Sequence, residues 1–202
     1  MVTKYSLKLS AKGLKVIYKS LIPKMEDGLI NIRKAGLADL EAVVQLSANT
    51  FIESWKESEE EKDINTYVKE NFNAERVLSE LNDESIIYLF AEINGHPVGY
   101  IKLQQNCQPE GHELVRPIAI HRLYVEKEKQ GLKIGSLLIS KAKSIAAEEK
   151  YNFLWLGVWN RNYGALRLYE RMGFTVFGEY KFIMGASVSD DYLMKCKIMN
   201  FA

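Results

Sequence analysis

The alternation of apolar and polar positions predicts a strand and then an amphipathic helix near the start of the chain. Ile30-Asn31-Ile32-Arg33 has the two-residue period of a strand. After Gly36, a helical period places five residues on one face: Leu40, Val43, Val44, Ser47 and Phe51. Helical spacing returns over residues 64–72 and 77–81. A strand and three helical segments are therefore predicted before the main sheet.

A β-hairpin is predicted over residues 85–103. Two apolar runs flank Asn94-Gly95, a pair that accepts the positive φ angles of a tight two-residue turn. Gly99 lies inside the second run, where a glycine indicates a β-bulge.

The second half of the chain predicts a parallel βαβ unit and a closing antiparallel pair. Residues 118–125 and 153–159 form apolar runs, and the segment between them has an apolar stripe at helical spacing. The run 153–159 is wholly apolar, which is expected of a strand covered on both faces. Strand, helix and buried strand form a parallel unit. A further helix over 162–172, ending at Gly173, precedes strands over 174–184 and 192–198.

Composition and charge narrow the classes of function. With 202 residues, 47% hydrophobic and 26% charged, the chain fits one globular domain. Its 27 basic and 26 acidic side chains give a formal charge of +1, so no overall field attracts nucleic acid or anionic lipid. Cys107 and Cys196 lack CxxC spacing, so no metal site is expected. Without a membrane-length apolar run or a signal peptide, we expect a cytoplasmic protein.

Residues 1–29 form a basic N-terminal extension with six lysines. Two interpretations stay open for it. It is a basic arm that binds a partner, or an added strand or loosely ordered extension.

The segment 127–136 joins a predicted strand to a helix start. Glycines beside a helix N-terminus expose backbone N–H groups and the positive end of the helix dipole, as a pyrophosphate requires. Lys127, Lys129 and Lys133 would add positive charge. An ordinary loop with solvated lysines explains these residues equally well.

Two segments resemble the GNAT acetyltransferases. Leu123-Tyr124-Val125 followed by Gln130-Gly131-Leu132-Lys133-Ile134-Gly135 resembles the acyl-CoA loop of that superfamily, Q/R-x-x-G-x-G/A. Lys133 stands at the central glycine of the pattern. Either the backbone there needs no positive φ, or the phosphate contact is altered.

The second segment matches N-x-x-A-x-x-x-Y-x-x-x-G-F at every fixed position: Asn162, Ala165, Tyr169, Gly173 and Phe174. Asn162, Ala165 and Tyr169 share one helix face and can point to one groove. A core tyrosine and a helix N-cap are the structural alternatives for Tyr169 and Asn162.

The resemblance implies a GNAT domain over residues 30–202 of the α/β (α+β) class. It implies a mixed central sheet of about seven strands, with flanking helices and a splayed parallel pair formed by strands 4 and 5. Acetyl-CoA would be the co-substrate, held by twelve residues: Leu123, Tyr124, Val125, Gln130, Gly131, Leu132, Lys133, Ile134, Gly135, Ser136, Asn162 and Ala165. Tyr169 would protonate the leaving thiolate.

The general base is less defined. His121 lies two residues before Leu123 on the predicted strand, so both side chains share a sheet face, and an imidazole titrates near neutrality. An imidazole with no chemical task is the alternative for His121, and a water chain to Glu53 or Glu92 is another route for the proton.

At subfamily level the chain resembles the PaiA-type spermidine/spermine N-acetyltransferases over nearly all of residues 30–200. The segments 50–55, 98–102, 122–125, 155–159 and 182–185 carry this resemblance. It implies a small amine acceptor, such as a polyamine, bound near Phe51, Glu53 and Trp55. Ala119 and His121 stand where relatives often carry acidic residues, which weakens the expectation of a polycation.

Three functions are therefore weighed: acetylation of a small primary amine, acetylation of a protein or peptide amine, and a catalytically weak CoA-binding interaction module. The protein is expected to be a monomer or a homodimer.

Overall fold

The structure is a computed structural model that describes residues 29–199. Within this range, seven strands form one sheet: β1 (Ile30–Lys34), β2 (Ile86–Ile93), β3 (His96–Gln105), β4 (Pro117–Val125), β5 (Phe153–Trp159), β6 (Thr175–Met184) and β7 (Ser187–Lys197). Five α-helices surround it: α1 (Leu40–Trp55), α2 (Glu61–Asn71), α3 (Ala74–Asn82), α4 (Ile134–Glu148) and α5 (Tyr163–Arg171). The predicted N-terminal extension lies outside the described residues, apart from Leu29.

The strand order is β1-β2-β3-β4-β5-β7-β6. All neighbouring strands are antiparallel except β4 and β5, which run parallel. The predicted mixed sheet with one parallel pair is thus confirmed. Strand β7 lies between β5 and β6, so the last strand of the chain is an interior strand of the sheet.

The hairpin between β2 and β3 has the predicted turn. Asn94 and Gly95 have φ angles of 53° and 80°, as a two-residue turn that matches the strand twist requires. The register of the hairpin shifts by one residue beside Gly99, which confirms the predicted bulge. A Cβ atom at Gly99 would lie 3.0 Å from the carbonyl oxygen of Tyr124, so the glycine also permits close contact with β4.

Helices cover both faces of the sheet. On one face, Leu138 of α4 packs with Ile118 and Leu156 of the parallel strands. On the other, Val43 of α1 packs with Phe90 of β2 in a second cluster. Burying a large apolar side chain stabilises the fold by about 1.5–3 kcal/mol. The result is three layers with the sheet in the middle.

The prediction that both faces of β5 are covered is wrong. Leu154, Leu156 and Val158 are buried, whereas the alternating residues are half-buried or, at Gly157, exposed. Helices α4 and α5 cover only one face of this strand. The other face borders a pocket.

Candidate active site

The parallel strands β4 and β5 separate part of the way along their length. They pair from Pro117 with Phe153 to Ile120 with Leu156, and beyond this point the two strands no longer pair. His121 is the extra residue of a bulge in β4. The strands therefore form a fork, with a crevice that passes between them and an edge of β4 that no described strand pairs.

A groove of about 780 Å³ lies on the helix α4 and α5 side of this fork. Eleven of the twelve residues predicted to hold the co-substrate line it: Leu123, Tyr124, Val125, Gln130, Gly131, Lys133, Ile134, Gly135, Ser136, Asn162 and Ala165. The twelfth, Leu132, packs against the core instead.

The loop before α4 has left-handed backbone at two positions. Gly131 has φ 84°, and Lys133, the N-cap of α4, has φ 62° and ψ 12°. Of the two expectations for Lys133, the one without positive φ is therefore wrong. The lysine adopts the conformation that the pattern's glycine would adopt at no steric cost. The loop keeps its shape and gains a cation that lines the groove.

Gly135 permits close contact between two helices. A Cβ atom there would lie 3.2 Å from Cδ2 of Leu168 in α5. This glycine therefore leaves room for the side chain of Leu168 in addition to lining the groove.

Four cationic side chains line the groove: Lys129, Lys133, Arg161 and Arg171. Neither arginine was predicted from the sequence, because Arg161 precedes the second motif and Arg171 stands at one of its variable positions. Lys127 does not line the groove. Its Nζ atom lies 3.3 Å from Oε1 of Glu57.

Helix α5 begins at the predicted N-cap. The side chain of Asn162 accepts a hydrogen bond of 3.1 Å from the backbone N–H of Ala165. This contact orders the first turn.

Tyr169 of α5 is buried, with its ring centroid 5.7 Å from that of Phe174. It lines both the groove and a second pocket on the other side of the fork. Burial, with a smaller contribution from Tyr124, raises the pKa of the Tyr169 hydroxyl well above its usual value, so the hydroxyl stays protonated at neutral pH.

The second pocket has a volume of about 180 Å³, and its walls are rich in aromatic side chains. Phe51 stacks on Tyr67, with centroids 4.6 Å apart and planes 8° apart. Trp55 lies 5.8 Å from Trp159 and 6.2 Å from Phe182, measured between centroids. Of the predicted acceptor residues, Phe51 and Trp55 thus line this pocket.

Glu53 and Glu92 line neither cavity. The carboxylate of Glu53 lies 2.8 Å from Nζ of Lys56 and 3.4 Å from Nζ of Lys127. Glu92 is paired with Arg33 at 2.7 Å, on the β1 side of the sheet.

His121 lines the aromatic pocket, and its Nε2 atom lies 3.5 Å from Sγ of Cys107. Burial of part of the ring, together with the positive charges of Lys102 and Arg122, lowers the pKa of His121 to about 4. The imidazole is therefore neutral near pH 7. Solvent at the exposed edge of the residue limits the size of this shift.

Asp191 of β7 lines the aromatic pocket as well, and the sequence analysis missed it. Its Oδ1 atom accepts a hydrogen bond of 2.7 Å from Ser189, and its Oδ2 atom lies 3.4 Å from the hydroxyl of Tyr180. Burial raises the pKa of this carboxyl. The predicted final strand began at Tyr192, so Asp191 had no assigned position in the sheet.

A buried ionic cluster lies beside the pocket. Glu80 of α3 lies 2.6 Å from Nζ of Lys102 and 3.7 Å from Arg122, and it accepts a hydrogen bond from the hydroxyl of Tyr88. The guanidinium of Arg122 lies 4.5 Å from the ring centroid of Phe72. Arg122 also lines the aromatic pocket, so this cluster forms part of its wall.

Among residues 29–199, no group of three or more His, Cys, Asp or Glu is arranged to hold a metal ion. No helix in the same range has the length and apolar character needed to cross a bilayer.

The sequence profile of the acetyltransferase (GNAT) family matches residues 40–174. An uncharacterized N-acetyltransferase in the pepI 3' region of Lactobacillus delbrueckii subsp. lactis is 27% identical over 168 residues, which is 82% of this chain and 96% of the relative. A spermidine N(1)-acetyltransferase of Thermoplasma acidophilum is 24% identical over 151 residues, covering 73% and 89%.

The fold is similar to that of a solved structure. The PaiA N-acetyltransferase from Thermoplasma acidophilum, crystallised in complex with coenzyme A, matches with a TM-score of 0.68 and 23% identity, over 83% of this chain and 98% of that one.

Proposed function

The chain belongs to the acetyltransferase (GNAT) family and uses acetyl-CoA as its co-substrate, and we propose that its acceptor is the primary amine of a small cationic molecule, with spermidine as the first candidate. One observation carries the proposal. Tyr169 lines both the groove predicted to hold acetyl-CoA and the aromatic pocket on the other side of the fork. A group in that position can reach the atoms exchanged between two substrates.

The groove fits acetyl-CoA in shape and in charge. The left-handed loop at Gly131 and Lys133 and the start of α4 present backbone N–H groups that suit phosphate oxygens. Arg161 and Arg171 add positive charge for the same group. The free edge of β4, at Leu123 and Val125, offers backbone partners for the amide groups of the pantetheine arm.

Tyr169 is the proposed general acid. Its hydroxyl is protonated at neutral pH, so it can supply a proton to the departing thiolate. The raised pKa makes the Tyr169 hydroxyl a weaker acid in the protein without bound substrates. Proton transfer therefore depends on the negative charge that develops on the sulfur beside it.

The aromatic pocket favours a cationic acceptor. Tryptophan and tyrosine faces attract an ammonium group electrostatically, by about 0.5–2 kcal/mol each. Trp55, Trp159 and Tyr124 line the pocket and provide such faces. The similarity to a relative named as a spermidine acetyltransferase supports a polyamine as the acceptor.

The roles predicted for His121 and Glu53 remain proposals. His121 lies on the pocket wall and is neutral near pH 7, so its ring has a nitrogen that can accept a proton, although the lowered pKa makes it a weak base. Glu53 lines neither cavity and is paired with Lys56 and Lys127, so its predicted role would be to attract an acceptor before it enters the pocket.

The proposal is tested by measuring thiol release from acetyl-CoA with spermidine, 1,4-diaminobutane, and peptides that carry a free N-terminus or a lysine. We expect the highest kcat/KM with a small diamine or polyamine. Turnover with the peptides but not with the small amines would identify a protein or peptide amine as the acceptor instead. A rise in melting temperature with acetyl-CoA but no turnover with any amine would favour a CoA-binding interaction module.

A further inference from the structure

We propose that Asp191 binds the ammonium group of the acceptor and removes the proton that must leave before the amine can attack. This inference rests on the proposed transfer to a small primary amine. It assigns to β7 a base that lies on a different element from the acid, Tyr169.

The Asp191 carboxylate lacks a counter-charge among residues 29–199. Asp191 is only 6% exposed, yet it forms no ion pair with a lysine, arginine or histidine among residues 29–199. Its neighbour Asp190 is exposed and pairs with Lys181. A buried carboxylate without a cation costs several kcal/mol unless a cation or a proton arrives from outside. Arg122 lines the same pocket, but its guanidinium pairs with Glu80 at 3.7 Å and not with Asp191, so the carboxylate is left to pair with a ligand ammonium.

One oxygen of the Asp191 carboxylate can accept a further hydrogen bond. Oδ1 receives the short hydrogen bond from Ser189, whereas Oδ2 has only the 3.4 Å contact with the Tyr180 hydroxyl. An ionised carboxylate oxygen accepts two hydrogen bonds. Oδ2 therefore has room for an N–H donor of the acceptor.

The electrostatic surroundings favour proton acceptance by Asp191. Burial raises its pKa, Ser189 and Tyr180 lower it, and the charge of Asp190 raises it further. The other titratable group that interacts with it is Tyr124 of β4, which stays neutral because its pKa is raised to about 12. A carboxylate with a raised pKa is a stronger base than a solvated one.

His121 is less suited to bind an ammonium group. The cations Lys102 and Arg122 lower its pKa, and the same two charges repel an approaching ammonium. Its nearest polar contact is the thiol of Cys107.

The proton balance of the reaction uses both residues. Asp191 takes one proton from the ammonium, which frees the nitrogen lone pair to form a C–N bond with the acetyl carbon. As the C–S bond breaks, the thiolate takes the hydroxyl proton of Tyr169, and the second proton lost by the nitrogen restores that hydroxyl. The proton on Asp191 leaves to solvent, so the products are an N-acetyl amine, a thiol and one proton.

Asp191→Asn in the full chain tests the role, with Asp190→Asn as the matched control on the same strand. With the best amine of the panel, we expect kcat/KM for the amine to fall roughly 10²–10⁴-fold in Asp191→Asn, and less than about threefold in Asp190→Asn. The Kd for acetyl-CoA should not change in either variant. Calorimetric titration of spermidine into the protein with bound CoA should show at least about tenfold weaker binding in Asp191→Asn.

Thermal unfolding separates catalysis from structure. Because the asparagine removes a buried charge without a counter-ion, the melting temperature of Asp191→Asn should stay equal or rise. Wild-type kcat/KM and spermidine affinity in Asp191→Asn would overturn the assignment, as would a lowered melting temperature that accounts for the lost activity. A larger kcat/KM loss in His121→Asn than in Asp191→Asn would transfer the proton step to His121. The proposed function is judged separately, by the turnover of the wild-type protein.

Discussion

The phenol ring of Tyr180 lies directly across Gly157, at a distance that no other residue permits. A Cβ atom at position 157 would lie 2.8 Å from Cε1 and 2.9 Å from Cζ of Tyr180, which is closer than such carbon atoms approach. Tyr180 in turn holds its hydroxyl near Asp191. A glycine in β5 thereby permits the position of Tyr180 that brings its hydroxyl to the acceptor-side carboxylate.

Gly157→Ala should therefore damage acceptor kinetics without harming co-substrate binding. The methyl group pushes Tyr180 away and disturbs the Asp191 side of the pocket, and a misplacement of about 1 Å can cost about 10²-fold in rate. We expect kcat/KM for the amine to fall by about 10-fold to 10²-fold while the Kd for acetyl-CoA stays constant. Gly36→Ala is the control, because a Cβ there meets no atom within 4 Å. Equal kinetics in the two variants would contradict this role.

Tyr169→Phe distinguishes a general acid from a core aromatic. The phenylalanine keeps the contact with Phe174 and removes only the hydroxyl. For a general acid, kcat should fall roughly 10²–10⁴-fold with little change in acetyl-CoA affinity. A structural tyrosine would instead change the free energy of unfolding by about 0.5–1.5 kcal/mol and leave kcat intact. Both quantities are measured on one preparation, and near-normal kcat in a folded variant eliminates the acid role.

Substitutions of Lys133 test the left-handed N-cap of α4. Glycine accepts φ 62° freely, so Lys133→Gly should leave the free energy of unfolding unchanged or raise it by up to about 1 kcal/mol. A β-branched residue is strained there, so Lys133→Val should lower that free energy by about 1–3 kcal/mol. Urea unfolding measures both. A valine variant as stable as the wild type would show that the loop adopts another conformation.

Glu80 should contribute to stability above about pH 4 and less below it. Burial opposes its ionisation, but hydrogen bonds from Lys102 and Tyr88 and the charge of Arg122 outweigh burial, so its pKa lies below the usual value. A group with a lowered folded-state pKa stabilises the protein fully above its unfolded pKa of about 4.3, and this contribution is lost as the pH falls through the folded pKa.

Replacing Glu80 by glutamine should lower the free energy of unfolding by about 3–5 kcal/mol, because Lys102 loses its buried counter-charge. Denaturant unfolding at pH 7 measures this loss. Acidification should also lower the free energy of unfolding less in the variant than in the wild type. An identical pH profile in the variant would mean that other carboxylates cause the acid sensitivity.

The groove could be predicted from sequence because two short segments form it. The loop before α4 and the face of α5 each fix several lining residues through local backbone geometry, so Gly135 and Tyr169 could be assigned from the two segments that resemble the GNAT motifs. The positive φ of Lys133 could not be predicted, because its steric cost of about 1–2 kcal/mol is small compared with the free energy gained when the surrounding fold packs.

The acceptor side could be predicted only in part, because distant segments meet there. Asp191 comes close to Trp159 through the pairing of β7 with β5, and this pairing depends on the final strand order. The two-face burial predicted for β5 was wrong for the same reason. Apolar composition does not show that one face of a strand lines a pocket.

The fork also divides the sheet into two smaller sheets that share a short seam. Strands β1 to β4 form one and β5 to β7 the other, joined by only four residue pairs. Beyond the seam, no hydrogen bonds between neighbouring strands fix the gap between Leu123 and Trp159. Trp159 instead meets Trp55 of α1, with ring centroids 5.8 Å apart, so side-chain packing rather than strand pairing bridges this part of the fork. Substitutions that change this packing should therefore alter catalysis by changing the width of the fork.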